Sequence, residues 1–128
     1  GLTALSCACE SGNEQIVELL LNHISIINVK GKHGETELIK ACKSNKFTIV
    51  KRLIDYKAEI NMTDNAGNTG LMRACENGNE DIVQYLIKHG ADVECLNDFG
   101  YQSLMFACKS NNVKILECLM NNGLNINA

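Results

Sequence analysis

The chain predicts an all-α solenoid of stacked helix-turn-helix units, and three observations carry that reading. The first is an internal period of 33 residues that runs along the chain. The second is a pair of short amphipathic stretches within each period, separated by Gly or Asn. The third is size: 128 residues, with 45% hydrophobic and 21% charged side chains, are ordinary for one soluble domain. A net charge of −3 leaves no basic footprint for nucleic acid. The longest apolar runs, Leu19 to Leu21 and Ile24 to Val29, fall far short of a membrane span. No secretory signal opens the chain.

Thr3, Thr36, Thr69 and Gln102 mark the zero position of four units. Two residues earlier stand Gly1, Gly34, Gly67 and Gly100; two later, Leu5, Leu38, Leu71 and Leu104. Ala8, Ala41, Ala74 and Ala107 follow at five, with Cys9, Cys42, Cys75 and Cys108 at six. Ile16, Ile49, Ile82 and Ile115 complete the set at thirteen. Five columns are thus identical in every copy, and a fixed period of this size signals stacked units. One domain over 1–128 is expected, with repeats near 1–33, 34–66, 67–99 and 100–128. Gly1 falls inside the first turn, and the last helix ends on Cys118, Leu119 and Met120 rather than a polar capping face. The chain is therefore expected to be a piece of a longer one.

The first helix of each unit starts at the Thr, whose hydroxyl caps orphan amide N–H groups. Glu37 in the first turn suits the positive end of the helix dipole. Leu38, Ala41 and Cys42 form the core face, small enough for a neighbouring helix to approach closely. The helix breaks at Gly12 or Gly78, with Asn45 and Asn111 standing in, residues that tolerate positive φ. The second helix carries a single apolar stripe: Ile16, Val17, Leu20 and Leu21 in unit one, Ile82, Val83, Leu86 and Ile87 in unit three. It ends at Gly90 and Gly123. An extended segment such as Ala91-Asp92-Val93 follows, then turns at Asp64-Asn65-Ala66-Gly67 and Asn97-Asp98-Phe99-Gly100.

Over its whole length the pattern resembles the ankyrin repeat. Unit three carries the resemblance best, through Asp64, Gly67, Thr69, Leu71, Ala74, Gly78, Ile82, Val83, Leu86, Gly90, Ala91 and Asp92 in order. A tetratricopeptide repeat has a period of about 34 residues and aromatic landmarks that are missing here. The family's Thr-Pro-Leu-His reads Thr3-Ala4-Leu5-Ser6, Thr36-Glu37-Leu38-Ile39, Thr69-Gly70-Leu71-Met72 and Gln102-Ser103-Leu104-Met105. Its Pro and His are absent throughout, and Gly70 in the Pro position is expected to weaken a helix start. These losses predict marginal stability. Ile24 and Lys57 replace the Gly that ends helix two, so strain is expected at those junctions.

Seven Cys invite a metal or redox role, but spacing argues against it. Cys9, Cys42, Cys75 and Cys108 share one register and predict a column with one thiol per unit. Packed helices lie about 8–10 Å apart. A disulfide needs Cα atoms within about 7 Å, and zinc thiolates all lie about 2.3 Å from one ion. Small buried hydrophobes beside Ala are the expected role. Cys7 and Cys9 point to different faces, and Cys95 and Cys118 are off register, with Cys118 the expected exposed thiol. Reduced cysteines favour a cytoplasmic or nuclear setting. His23 and His89 sit at the ends of second helices, where a cation suits the dipole; His33 sits on a turn tip. No nucleophile has a recognisable His and acid arrangement. Asp64 to Asn68 lacks the Gly and distal Glu of a calcium loop, and Gly67 to Gly70 lacks the length and Lys of a phosphate loop. Asn61-Met62-Thr63 is a glycosylation triplet of a kind that arises by chance in an Asn-rich chain. No catalysis, metal or cofactor is expected.

The resemblance implies that turn tips and the exposed side of the first helices form a concave groove that meets a partner protein. The tips are Lys32, His33 and Glu35, then Asn65, Ala66 and Asn68, then Asp98, Phe99 and Tyr101. The first helices add Cys7, Lys40, Arg73 and Phe106, with Glu10, Lys43, Glu76 and Lys109 further along. Phe99, Tyr101 and Phe106 are three of the chain's six aromatic residues, the side-chain type favoured at hot spots. The alternative has Phe106 packing inward and Phe99 folding over its own turn. Lys40, Lys43 and Arg73 beside the aromatics favour a partner segment of acidic and apolar character, although such a set also forms an ordinary solvated face. Unit three with its linker holds two basic and six acidic side chains.

A non-catalytic interaction module or scaffold, assumed monomeric, is the function expected, with no nucleic acid and no membrane insertion. The competing expectation is a regulatory or substrate-binding arm of a larger enzyme or channel. A thiol-based redox or metal role ranks third.

Overall fold

Among the described residues eight α-helices follow one another in four antiparallel pairs, and six of them begin at a side-chain cap. The computed structural model describes residues 3–23 and 27–122. Its helices are α1 (Ala4–Ser11), α2 (Glu14–His23), α3 (Glu37–Lys43), α4 (Phe47–Asp55), α5 (Gly70–Asn77), α6 (Glu80–Lys88), α7 (Ser103–Lys109) and α8 (Val113–Asn121). A single 3₁₀ turn spans Lys32–Gly34, and no strand occurs among the described residues. Gly1, Ile24 and Gly123, which entered the sequence expectations, lie outside the described residues.

The Thr caps act as expected. Thr3 Oγ1 accepts from Ser6 N, and Ser6 Oγ accepts in return from Thr3 N, both at 3.0 Å. Thr36 and Thr69 cap α3 and α5 through Ile39 N and Met72 N at 3.2 Å each. Gln102 gives α7 no side-chain cap. Asn13, Asn79 and Asn112 cap α2, α6 and α8 in the same manner. Between paired helices the chain turns through left-handed backbone at Gly12 (φ 78°), Asn45 (φ 60°), Gly78 (φ 72°) and Asn111 (φ 59°). Lys57 adopts φ 68° where Gly90 stands one unit later, the strained junction predicted from its side chain.

The first helices α1, α3, α5 and α7 pack side by side in one layer, and α2, α4, α6 and α8 form the second. The core runs along the seam between layers, through Leu38, Ala41, Cys42, Ile49, Val50 and Leu53 and their counterparts one period on. Gly70 has a role that propensity did not reveal. A Cβ there would lie 3.1 Å from Cys42 Sγ, so its missing side chain lets α5 approach α3.

Three expectations about burial are corrected. Ile16 belongs to the apolar stripe of α2 yet is 46% exposed, while Ile49, Ile82 and Ile115 at the same register are fully buried. This register faces the preceding unit, and no described residue covers Ile16 there. Cys108 is likewise exposed, whereas Cys9, Cys42 and Cys75 are enclosed. Cys118, expected to be the exposed thiol, is half-buried; the exposed thiols are Cys7 and Cys108.

The abundance of Asn follows from unit-to-unit bonding. Asn28 Oδ1 accepts from Glu59 N at 2.9 Å, and Asn61 Oδ1 repeats the bond one period later with Asp92 N at 2.8 Å. Asn77 Nδ2 donates to Lys43 O at 2.8 Å. Glu37 does more than face a dipole. It is buried, and its carboxylate accepts from Asn28 N at 2.7 Å and Val29 N at 3.3 Å, which pins the preceding segment to α3.

Candidate functional site: the turn tips and first helices

Each turn tip is built by the same backbone closure. Gly31 N donates to Glu35 O, Asp64 N to Asn68 O and Asn97 N to Tyr101 O, all at 2.9 Å. Within the tips, Asp64 Oδ1 accepts from Ala66 N and Asn68 N at 2.9 Å, and Asn97 Oδ1 does the same for Phe99 N and Tyr101 N. Adjacent tips are then tied in a row, with Asn65 N donating to His33 O and Asp98 N to Ala66 O, each at 2.9 Å. Side chains on the tips are therefore presented from a bonded frame.

That frame sorts the expected partner-binding residues. Lys32, His33, Lys43, Asn65, Glu76, Asp98, Phe99, Tyr101 and Lys109 are exposed, and Arg73 is half-buried. Asn68 and Phe106 are buried, which corrects the placing of Asn68 on a free surface, and Glu35 and Lys40 are also largely enclosed, although both line the cleft beside Lys43. Asn68 is spent on structure: its Oδ1 accepts from Asn97 Nδ2 at 2.9 Å, which joins two tips. Glu35 is held by Lys43 Nζ at 2.8 Å. Lys40 Nζ faces Glu10 Oε2 at 3.5 Å. Arg73 bridges Asp64 at 3.1 Å and Glu76 at 3.2 Å, while its buried Nε finds no partner among the described residues.

The open alternative for the aromatics is decided one way for each ring. Phe106 is only 6% exposed and packs inward; Phe99 stands 75% exposed on the tip. Tyr101 lies edge-on to Phe106, with ring centroids 6.0 Å apart, and Lys109 Nζ sits 5.6 Å from the Tyr101 centroid. Phe106 thus braces Tyr101 from beneath. Two further exposed apolar side chains in the same part of the chain, Leu96 and Met105, were not foreseen. Met105 shares its register with buried Ile39 and Met72 yet is 43% exposed.

Burial and hydrogen bonding set the electrostatics of the tips and core. Burial tends to raise the Asp64 pKa, but hydrogen bonds from Asn68 N, Ala66 N and Arg73 outweigh it and hold the carboxyl below its ordinary value. Burial, aided by Glu37, pushes the Cys9 thiol up to about 12, and burial also lifts Cys75 to about 12. Among the described residues no three His, Cys, Asp or Glu side chains stand close enough to share a metal ion. No described helix is long and apolar enough to cross a membrane.

A family model described as ankyrin repeats, in three copies, matches residues 1–64 and 38–128. No curated protein matches the chain.

Proposed function

We propose that this chain, which belongs to the ankyrin repeat family, is a non-catalytic module that binds a partner protein along the groove of turn tips and first helices. Proteins of this family are generally interaction modules. The observation that carries the reading here is Phe99, a large apolar ring held 75% exposed on a hydrogen-bonded tip. A ring left in water on a rigid frame loses little conformational entropy when a partner covers it, which is the character of a hot-spot residue. Tyr101, backed by Phe106 and flanked by Lys109, extends the same surface. The partner's contact segment is apolar at this point. The enclosed thiols of Cys9, Cys42 and Cys75 fit a reducing cytoplasmic or nuclear setting.

Affinity capture read by mass spectrometry tests the reading, comparing wild type with the Phe99→Ala/Tyr101→Ala variant. Circular dichroism first establishes that the variant folds. Partners retained by wild type and lost from the variant support the assignment. Identical partner sets for both forms overturn it.

A further inference from the structure

We propose that the groove between the first and second units is an anchor site for a single carboxylate side chain of an acidic peptide segment. This inference rests on the reading of the concave face as a protein-binding surface, and it adds the chemistry of the partner. The groove has a volume of about 350 Å³ and is lined, among the described residues, by Glu10, Lys32, His33, Glu35, Lys40 and Lys43. That space admits one side chain and its adjacent backbone.

Lys40 is the central observation. Its side chain is 93% buried, since only 7% of it is exposed, yet its one ion pair among the described residues is the 3.5 Å approach of Glu10. A charge-assisted bond from an ammonium group is normally about 2.7–2.9 Å long, and an ammonium carries three donors. Glu10 itself is 66% exposed, so its carboxylate keeps most of its hydration and holds Lys40 weakly. Lys43 is better satisfied, bound to buried Glu35 at 2.8 Å. Lys32 is exposed and forms no ion pair among the described residues. The site therefore holds a largely enclosed lysine side chain whose one ion pair among the described residues is long, and an exposed cation at its rim.

Charge selects the ligand. Three ammonium groups face two carboxylates, an excess of one positive charge over these five side chains. A monoanionic carboxylate neutralises that charge. A phosphate, at about −1.5 to −2, would leave net repulsion against Glu10 and Glu35. An arriving Asp or Glu shares Lys40 with Glu10, which stays at the exposed rim and repels the newcomer. Glu10 is thus an internal competitor.

The test titrates the 128-residue chain with a fluorescein-labelled, end-blocked peptide of alternating Asp and Gly, read by anisotropy at low salt. Its Asn-for-Asp counterpart and inorganic phosphate serve as comparisons. The acidic peptide is expected to bind at least about tenfold more tightly than the Asn peptide, a difference the size of one good charge contact. Glu10→Gln is expected to tighten binding about threefold or more, because it removes the competitor. Lys32→Met weakens it about threefold and Lys40→Met about tenfold. Since Lys40 is buried and its loss can unfold the chain, the two exposed substitutions carry the test. Equal binding of the two peptides, a Glu10→Gln variant that does not tighten, or stronger binding of phosphate than of the acidic peptide each overturns the proposal. Capture that depends on Phe99 without any binding of the acidic peptide would defeat this inference alone and leave the broader function standing.

Discussion

Asp64 offers the sharpest probe of how the tips are held. Its Oδ1 accepts two backbone N–H groups, from Ala66 and Asn68, at 2.9 Å each, and its Oδ2 receives Arg73 Nη2 at 3.1 Å. Bonds to a charged acceptor contribute about 1.5–3 kcal/mol each, but the tip borders water, which replaces part of that when the carboxylate is removed. Asp64→Ala is therefore expected to cost about 2–3 kcal/mol in all. Asp64→Asn is milder. Unit four carries Asn97 at the same register, where its Oδ1 accepts from Phe99 N and Tyr101 N in the same geometry. The ion pair with half-buried Arg73 and the long 3.5 Å bond from Asn68 Nδ2 are lost, a cost of about 1 kcal/mol. At about 4 °C per kcal/mol, these correspond to Tm drops of about 10 °C and about 4 °C.

Urea unfolding followed by far-UV circular dichroism measures both variants. Acid supplies a second arm. The folded state holds the Asp64 pKa below its ordinary value, so its contribution is complete above the ordinary carboxylate range. It is lost as pH falls through the depressed folded value. The gap between wild type and Asp64→Asn should narrow in that acid window. An Asp64→Ala variant within about 0.5 kcal/mol of wild type, or a gap that stays constant into acid, would refute the tip argument.

Three further outcomes are expected. Phe99→Ala should change stability by under about 0.5 kcal/mol and Phe106→Ala should cost about 3 kcal/mol; similar costs for both would contradict the opposite burial of the two rings. A thiol reagent added to folded protein should label Cys7 and Cys108 quickly, and leave Cys9 and Cys75, whose pKa values lie up at about 12, until unfolding; peptide mapping reads this, and fast labelling of Cys75 would count against the enclosed column. Lys57→Gly should stabilise by about 0.5 kcal/mol, because relief of left-handed strain exceeds the entropy cost of Gly; a lower Tm would show that the Lys57 side chain has an unrecognised role.

Much of the local architecture was legible in the sequence because its causes are local. Thr3, Thr36 and Thr69 cap the helices they precede, since a hydroxyl at that position reaches only the N–H groups of the next turn. Asn45, Asn111 and Lys57 take the left-handed backbone that register with Gly12, Gly78 and Gly90 predicted. Gly70 shows the limit of such reasoning. Propensity marked it as a weak helix start, but its purpose is the approach to Cys42 from another unit, 28 residues back in the chain. Glu37 is similar, since its carboxylate serves Asn28 and Val29 rather than its own helix end.

The candidate site divides along the same line. The sequence alone marked the tips and the two helices of each unit, because a period shared by four copies fixes the register of every residue. Exposure within one register was decided only by the tertiary structure. Ile16 and Ile49 are the same residue at the same offset, one half in water and the other sealed. Phe99 points out and Phe106 in, although both belong to the unit-four groove set. Lys40 and Lys43, three residues apart on α3, differ in whether the side chain is enclosed or exposed. Periodicity specifies what a residue faces, whereas burial depends on whether a neighbouring unit stands there to cover it.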